Sequence, residues 1–233
     1  CTGYKSIERA AATVAEKMKE RGMTDPVTYV TQKKMFPEYF TEIGERLRKL
    51  KAVPFTIHHS PFTIVAGGTD LCVQKQDELK NENICFLYDE PGLKIIRKED
   101  NDCILGPSVT VSDLMNSAVI REAFPEFHRY AKLVSSTPIR NMGTVAGNFI
   151  NASPIGDLTI FFLALDATLA LTPSPLSTPW RGVGGEGRSV SLRQFYTGYK
   201  QLDKTAAEYI ESISFKLPGK NTLFNFEKVS KRT

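Results

Sequence analysis

The sequence predicts an α+β fold, and three features of the chain lead to this prediction. Apolar residues at helical spacing alternate along the chain with short runs of β-type residues. One such run leads through paired glycines into a helix start, within residues 62–71. Two further runs, Tyr209 to Leu217 and Thr222 to Val229, are typical of paired strands. At 233 residues, the chain is long enough for one large domain or two small ones.

Composition narrows the class of protein. Hydrophobic residues make up 41% of the chain and charged residues 24%, which are ordinary values for a globular protein. A net charge of +4 is too small to favour a nucleic-acid partner. We find neither a secretory signal nor an apolar run long enough to cross a bilayer. The cysteines lie far apart without a C-x-x-C pair, so we expect a reduced, cytoplasmic protein without a membrane partner; they are Cys1, Cys72, Cys85 and Cys103.

The first quarter of the chain predicts helices. Ser6 is placed to cap a helix, and Gly22 is placed to end it. The apolar positions of that helix are Ile7, Ala10, Ala11, Val14 and Met18. Residues 23–52 predict a proline-interrupted linker and then a short basic helix, whose charges favour a solvated face over a nucleic-acid contact.

The rest of the chain mixes both element types. We predict a strand at Ile84 to Leu87, and a hairpin formed by Leu93 to Arg97 and Cys103 to Leu105. Ser112 is predicted to cap a helix through Ile120. The elements predicted farther along are a helix from Pro125 through Leu133, a helix with Leu158, Phe161, Phe162 and Leu165 on one face, a strand from Thr168 to Leu171, a proline- and glycine-rich surface loop at 172–188, and a short helix capped by Ser191.

Two glycine-bearing stretches are candidates for a binding site. Residues 64–71 combine a β run, the sequence A-G-G-T-D and a helix start, which together can present main-chain N–H groups to phosphate oxygens. This stretch is not a G-x-G-x-x-G fingerprint, and it lacks the lysine of a P-loop. In residues 134–157, Gly143 and Gly147 would let the main chain approach a large polar ligand, and Pro154 favours a helix N-terminus nearby. A packed connector explains the second stretch equally well from its pattern alone.

The two stretches together resemble the FAD-binding subunit of the molybdenum hydroxylases, the family that includes xanthine dehydrogenase and carbon monoxide dehydrogenase. That family shows an A-G-G-T-D/N type loop followed by G-T/S-x-G-G-N-I-x-x-A-S-P-x-x-D. This chain carries A-G-G-T-D at 66–70 and G-T-V-A-G-N-F-I-N-A-S-P-I-G-D at 143–157. The resemblance spans residues 55–233 and implies a two-subdomain FAD-binding fold of the PCMH type, as in vanillyl-alcohol oxidase and the carbon monoxide dehydrogenase flavoprotein.

The resemblance also implies which residues contact FAD. Main-chain N–H groups of the first loop should bind the pyrophosphate; the loop comprises Ile64, Val65, Ala66, Gly67, Gly68, Thr69, Asp70 and Leu71. The second face of the diphosphate should meet Thr144, Val145, Ala146, Gly147 and Asn148. Asp157 should bind the sugar or adenine end, and Val134 and Ile210 should form apolar walls. The last match falls on Glu227 or Lys228, of which we assign Lys228.

The resemblance also bears on the shape of the second loop and on the source of the redox chemistry. Ala146 stands where many members have glycine, so we expect this loop to lie slightly farther from the phosphates. We expect no catalytic acid or base in this chain, because the flavin itself carries the redox chemistry.

The first residues resemble the end of the family's [2Fe–2S] domain. There, C-x-C-T-G-Y closes a cluster site, and Cys1-Thr2-Gly3-Tyr4 matches its last part, which implies that Cys1 is a metal ligand in the intact protein. A cluster needs four ligands, so one thiolate cannot hold it alone. The expected organisation is a truncated [2Fe–2S] tail at 1–22, a linker and helix at 23–53, the FAD-binding domain at 54–217, and the start of a truncated C-terminal flavoprotein domain at 218–233.

Three functions follow as hypotheses. The first is the electron-transfer subunit of a xanthine dehydrogenase-like enzyme, which would pair with a molybdopterin-binding large subunit and pass electrons from [2Fe–2S] clusters through FAD to NAD. The second is the flavin subunit of another molybdenum hydroxylase, acting on an aldehyde, carbon monoxide or an aromatic acyl thioester. The third is a non-catalytic interaction module in which the glycine loops only pack.

Overall fold

A computed structural model describes residues 4–50, 63–88, 91–173, 187–206, 208–219 and 221–229 of the chain. The chain divides into two compact units, Cys1–Thr56 and Ile57–Thr233. None of the helices in these described ranges is both long enough and apolar enough to span a bilayer.

The first unit is helical, as predicted. Its elements are α1 at Tyr4–Lys19, α2 at Pro26–Gln32, a 3₁₀ helix at Glu38–Glu42 and α3 at Ile43–Lys49. Gly22 lies in the turn after α1 with φ of +59°, a conformation that glycine adopts without steric cost. Asp25 caps α2 by accepting a 2.9 Å hydrogen bond from the N–H of Thr28, and this bond lowers the pKa of the carboxyl group. The Tyr29 hydroxyl donates to the Lys17 carbonyl at 3.0 Å and so joins α2 to α1.

The second unit is built on a five-stranded antiparallel sheet. Its strands are β3 at Ile96–Glu99, β4 at Asp102–Leu105, β5 at Thr168–Pro173, β6 at Arg188–Ser191 and β9 at Glu208–Lys216. Their order in the sheet is β3–β4–β9–β5–β6. Two smaller sheets stand apart from it. One is the parallel pair β1 at Thr63–Val65 and β2 at Ile84–Phe86, and the other is the hairpin β7 at Tyr196–Gly198 and β8 at Gln201–Leu202.

Short helices connect these sheets. They are α4 at Leu71–Gln74, α5 at Gln76–Leu79, a 3₁₀ helix at Pro91–Leu93, α6 at Val111–Asn116, α7 at Ala118–Ala123, α8 at Phe127–Ala131, α9 at Thr137–Met142, α10 at Val145–Asn151, α11 at Asp157–Ala164 and α12 at Leu192–Phe195. The mixture of helices and an antiparallel sheet confirms the predicted α+β class.

The core of the second unit lies between the sheet and α11. Phe161 and Phe162 enter it from α11, and the ring of Phe162 packs edge-on against Phe149 at 5.6 Å and Phe215 at 5.4 Å between centroids. Phe161 stands at 5.1 Å from Phe224. Edge-to-face aromatic pairs add to the stabilisation that the buried area itself provides. The apolar face predicted for this helix is therefore the one that fills the core.

Four local predictions were wrong. Ser6 does not cap α1, because it lies inside that helix, which already includes Tyr4. Thr110, not Ser112, caps α6: its hydroxyl accepts from the N–H of Asp113, whose carboxylate accepts in return from the N–H of Thr110. The helix also stops before Ile120, because Ser117 caps a new helix, α7. The Thr222–Val229 segment forms no strand, since its aromatic rings pack into the core instead of extending the sheet.

Other predictions were confirmed or lie outside the described residues. The cap at Ser191 was correct, since its hydroxyl accepts from the N–H of Gln194 at 3.2 Å. The central stretch, predicted as a loop with a helix start near its end, contains the short helices α9 and α10 before α11 begins. Most of the predicted surface loop at 172–188 lies outside the described residues.

Candidate functional site

The first glycine loop follows β1, which pairs in parallel with β2. Val65 at the end of β1 is buried, and the chain then turns at Gly68, whose φ is +66°. An L-residue at Gly68 would be strained, because this conformation favours glycine. The Gly68 carbonyl accepts from the N–H of Cys72 at 2.9 Å and so begins the turn of α4. Strand, glycine turn and helix start therefore follow in the predicted order.

Three main-chain N–H groups of this loop have no protein acceptor within the part of the chain that the structure describes. Among the described residues, none accepts a hydrogen bond from the N–H groups of Gly67, Gly68 or Thr69. Main-chain N–H groups that protein atoms leave unsatisfied are normally paired with water or a ligand. Successive open N–H groups in a turn form an anion-binding concavity.

The second glycine segment is the joint between α9 and α10. Thr144 caps α10, because its hydroxyl accepts from the N–H of Gly147 at 3.1 Å. The N–H of Val145 donates to the Val109 carbonyl at 2.9 Å, and the side chains of Thr144 and Val145 are buried. The joint is therefore fixed to the core, and within it the Thr144 hydroxyl and the Val145 N–H already have protein partners.

The two glycine segments lie against each other. A Cβ atom built on Gly67 would overlap the carbonyl oxygen of Met142 and would lie 2.6 Å from its carbonyl carbon. A Cβ atom on Gly143 would lie 3.7 Å from the Thr69 hydroxyl oxygen. Main chain thus touches main chain at Gly67. Its lack of a side chain is required by this protein contact, whereas the sequence suggested only the approach of a ligand.

Side chains from several elements fix this junction. The Tyr88 hydroxyl donates to the Asn141 carbonyl at 2.7 Å, and the Ser112 hydroxyl donates to the Asn141 side-chain oxygen at 2.6 Å. Gln74 on α4 donates to the side-chain oxygen of Asn151 on α10 at 3.1 Å. Sequence reasoning did not identify these supporting residues, because the residues of each pair are between 29 and 77 positions apart in the chain.

Asn148, predicted as a diphosphate contact, has its side chain fixed by a hydrogen bond from α11. Its side-chain oxygen accepts from the Thr159 hydroxyl at 3.3 Å, and the Tyr196 hydroxyl donates to the Phe149 carbonyl at 3.3 Å. Burial raises the pKa of Tyr196, an effect that its contact with Thr159 opposes. With its oxygen occupied in this way, the Asn148 amide keeps its N–H donors for other partners.

A second part of the site lies where α11 begins. Lys228 donates from its Nζ atom to Asp157 Oδ2 at 2.7 Å and to the Leu133 carbonyl at 3.0 Å. The side chains of Asp157 and Lys228 are 21% and 33% exposed, so the pair is reachable from solvent. Beside it is a small, mostly apolar recess lined by Phe127, Tyr130, Ala131, Val134, Asp157, Leu158, Phe161 and Phe226. The structure thus brings together three predicted site residues, Val134, Asp157 and Lys228.

Other predicted positions lie elsewhere. Ile210 is on β9 opposite Leu171, is buried in the core and does not line this recess. Cys1 lies outside the described residues. Within the described ranges, no three His, Cys, Asp or Glu side chains are grouped to hold a metal ion. Burial raises the pKa of the Cys103 thiol to about 11, which makes it a poor nucleophile or ligand at neutral pH.

Comparison with known proteins identifies the family. Residues 36–218 match the family described as the FAD binding domain in molybdopterin dehydrogenase. The chain belongs to this family. The match covers both glycine segments and supports the resemblance inferred from their motifs.

Curated relatives agree with this assignment. The chain is 29% identical to the nicotinate dehydrogenase FAD-subunit of Eubacterium barkeri over 74% of its own length and 56% of that protein. It is 26% identical to the glyceraldehyde dehydrogenase medium chain of Sulfolobus acidocaldarius over 85% and 66%, respectively. It is 27% identical to the carbon monoxide dehydrogenase medium chain of Afipia carboxidovorans over 72% and 55%. The chain therefore spans between half and two thirds of the length of these relatives.

Solved structures show the same fold. Carbon monoxide dehydrogenase from Hydrogenophaga pseudoflava superposes with a TM-score of 0.62 at 23% identity, over 73% of this chain and 56% of that one. Quinoline 2-oxidoreductase from Pseudomonas putida 86 superposes with a TM-score of 0.56 at 22% identity, over 66% and 51%. The predicted FAD-binding fold of the PCMH type is confirmed.

Proposed function

We propose that this chain binds FAD and serves as the electron-transfer subunit or domain of a molybdenum hydroxylase. The observation that carries the proposal is the set of N–H groups at Gly67, Gly68 and Thr69, which have no acceptor among the described residues and lie against the Met142–Gly143 main chain. Such groups can bind the diphosphate of a dinucleotide without a lysine or a metal ion. The residues present therefore fit the cofactor that is characteristic of the family.

Each part of the site has a proposed role. Gly67, Gly68 and Thr69 hold the diphosphate through the main chain, and the free amide donors of Asn148 add to the same contact. Asp157, oriented by Lys228, accepts hydrogen bonds from the ribose or adenine end. When bound, FAD supplies the redox chemistry, and the protein supplies position and surroundings.

The rest of the enzyme is also a proposal. Two of the relatives are named medium chains, which favours a molybdopterin-binding large subunit as the partner of this chain. The C-T-G-Y sequence at residues 1–4 supports a [2Fe–2S] cluster in the intact protein, with Cys1 as one ligand. We propose NAD as the acceptor and the cytoplasm as the location.

Two substrate classes remain as candidates. The C-T-G-Y sequence fused ahead of the FAD-binding region favours a xanthine dehydrogenase-like enzyme. The 29% identity to a nicotinate dehydrogenase FAD-subunit favours a hydroxylase of another substrate. Membership in a FAD-binding family argues against a non-catalytic interaction module.

Two experiments test the proposal. Titration of the purified protein with FAD, followed by quenching of flavin fluorescence, should show saturable binding with one FAD per chain; absence of binding would reject the proposal. The intact complex should then be assayed with hypoxanthine or nicotinate as the reductant and NAD as the acceptor. Reduction by hypoxanthine supports the first substrate class, and reduction by nicotinate alone supports the second.

A further inference from the structure

Arg140 holds a turn that lies next to the recess. Its guanidinium donates from Nη1 to the carbonyls of Val134 at 3.0 Å and Ser135 at 2.5 Å. It also donates from Nη2 to the Thr137 hydroxyl at 2.8 Å. No described carboxylate lies within ion-pair distance of Arg140, so the carbonyl groups are its principal partners.

The turn that Arg140 holds is conformationally costly. Ser135 has φ of +50°, a left-handed conformation that is unfavourable for a residue with a side chain. The preceding carbonyl, that of Leu133, accepts from Lys228 at 3.0 Å. Three successive carbonyls, those of residues 133, 134 and 135, therefore accept hydrogen bonds from cationic side chains. Hydrogen bonds from a charged donor are stronger than neutral ones, and here they offset the cost of the left-handed residue.

Helix α9 connects this turn to the glycine junction. Arg140 is in its last turn, and Met142 at its end touches Gly67. Six helical residues span about 9 Å, so the helix links the recess beside Val134 to the loop that carries the open N–H groups. A change in the turn would alter the distance between the two proposed halves of the cofactor site.

We infer that Arg140 is a positioning residue for dinucleotide binding, which fixes the Val134 turn relative to the glycine junction without touching the cofactor. This inference rests on the proposed function. The planar guanidinium matches two carbonyls and a hydroxyl at once, whereas a lysine ammonium at this position would retain only part of the set.

The test compares two variants of Arg140 with a matched control in the full-length protein. We expect Arg140→Met to weaken FAD binding about tenfold or more, as the loss of a charge-assisted contact would, and Arg140→Lys to weaken it less. Arg129, an exposed arginine paired with Glu126 at 3.5 Å, provides the control, and Arg129→Met should bind FAD like the wild type. FAD titration measures the affinities, and visible circular dichroism at saturating FAD reports the surroundings of the flavin.

The outcomes separate this inference from the proposed function. Weaker binding and an altered flavin spectrum for Arg140→Met, with partial recovery in Arg140→Lys, support positioning. Wild-type affinity and spectrum in Arg140→Met would overturn it. If Arg140→Met does not fold, Arg140→Lys decides: wild-type affinity in that variant overturns the inference. Failure of the wild-type protein itself to bind FAD would overturn the proposed function and this inference with it.

Discussion

Two regions of the second unit, the core under the sheet and the glycine junction, are stabilised by different kinds of contact. Between the sheet and α11, large aromatic side chains interdigitate, and Phe149 and Phe162 are fully buried. At the junction, main chain meets main chain at Gly67, and single hydrogen bonds such as that from Tyr88 to Asn141 fix the arrangement. The first region gains stability from buried apolar area, and the second gains shape from close approach. Substitutions should therefore affect stability in one region and cofactor binding in the other.

Removing Phe162 should give the largest loss of stability. Its ring is fully buried and contacts Phe149, Phe161 and Phe215. We expect Phe162→Ala to lower the free energy of unfolding by about 3–5 kcal/mol, measured by urea denaturation. Ile160 on the same helix is 54% exposed, and Ile160→Ala should cost much less. Equal losses in the two variants would show that this face of α11 is not the core.

Adding one methyl group at Gly67 should have the next largest effect, and the property affected should be FAD binding. The new Cβ atom would overlap the Met142 carbonyl, and neither main chain can move freely. We expect Gly67→Ala to cost about 1–3 kcal/mol locally and to weaken FAD binding by at least tenfold in a titration. A Cβ atom at Gly92 would meet nothing within 4 Å, so Gly92→Ala is the matched control. Normal FAD affinity in Gly67→Ala would contradict the proposed binding of the diphosphate by the first glycine loop.

The same contrast explains what could be predicted from the sequence. The positions of α11 and of the strand after it were predicted from their apolar residues, because both elements bury large side chains in the core. Phe224 and Phe226 alternate as in a strand, yet their rings pack against Phe161 and no strand forms, because tertiary packing overrode the local pattern. The contact between Gly67 and Met142 leaves no sequence signal, because it joins main-chain atoms of residues 75 positions apart. The motif therefore predicted where the candidate site lies, but not the main-chain contact that fixes its shape.

Breaking the Lys228–Asp157 pair, which lies at the start of α11, should have a moderate effect on FAD binding. Both side chains are partly exposed, so the contribution of the pair to stability should be small, about 1 kcal/mol or less. Lys228→Met should nevertheless weaken FAD binding several-fold, because Asp157 and the Leu133 carbonyl lose their common partner. Lys132→Met removes an exposed lysine next to Leu133 and should leave the affinity unchanged. If both variants bind FAD equally well, Lys228 has no role in the site.

The smallest predicted effect concerns an ion network at the far edge of the sheet. Arg188 donates from Nε to Glu208 at 2.7 Å and from Nη1 to Asp203 at 2.9 Å. The bond from Arg188, aided by the Thr205 N–H, lowers the pKa of Glu208 to about 2. Because the carboxylate form is favoured in the folded state, its contribution to stability is complete above the ordinary pKa of 4.5 and is lost as the pH falls from about 4.5 to 2.

Glu208→Gln should therefore reduce the pH dependence of stability within that window. Thermal unfolding of both proteins between pH 2 and pH 5 measures this slope, and we expect a flatter curve for the variant. Glu126→Gln, which removes a carboxylate from an exposed pair with Arg129 at 3.5 Å, should leave the slope as in the wild type. The network lies outside the proposed cofactor site, so neither variant should change FAD affinity at neutral pH. A change in FAD affinity for Glu208→Gln alone would mean that this edge of the sheet is coupled to the glycine junction. The expectation that the sheet determines stability and the junction determines FAD binding would then be wrong.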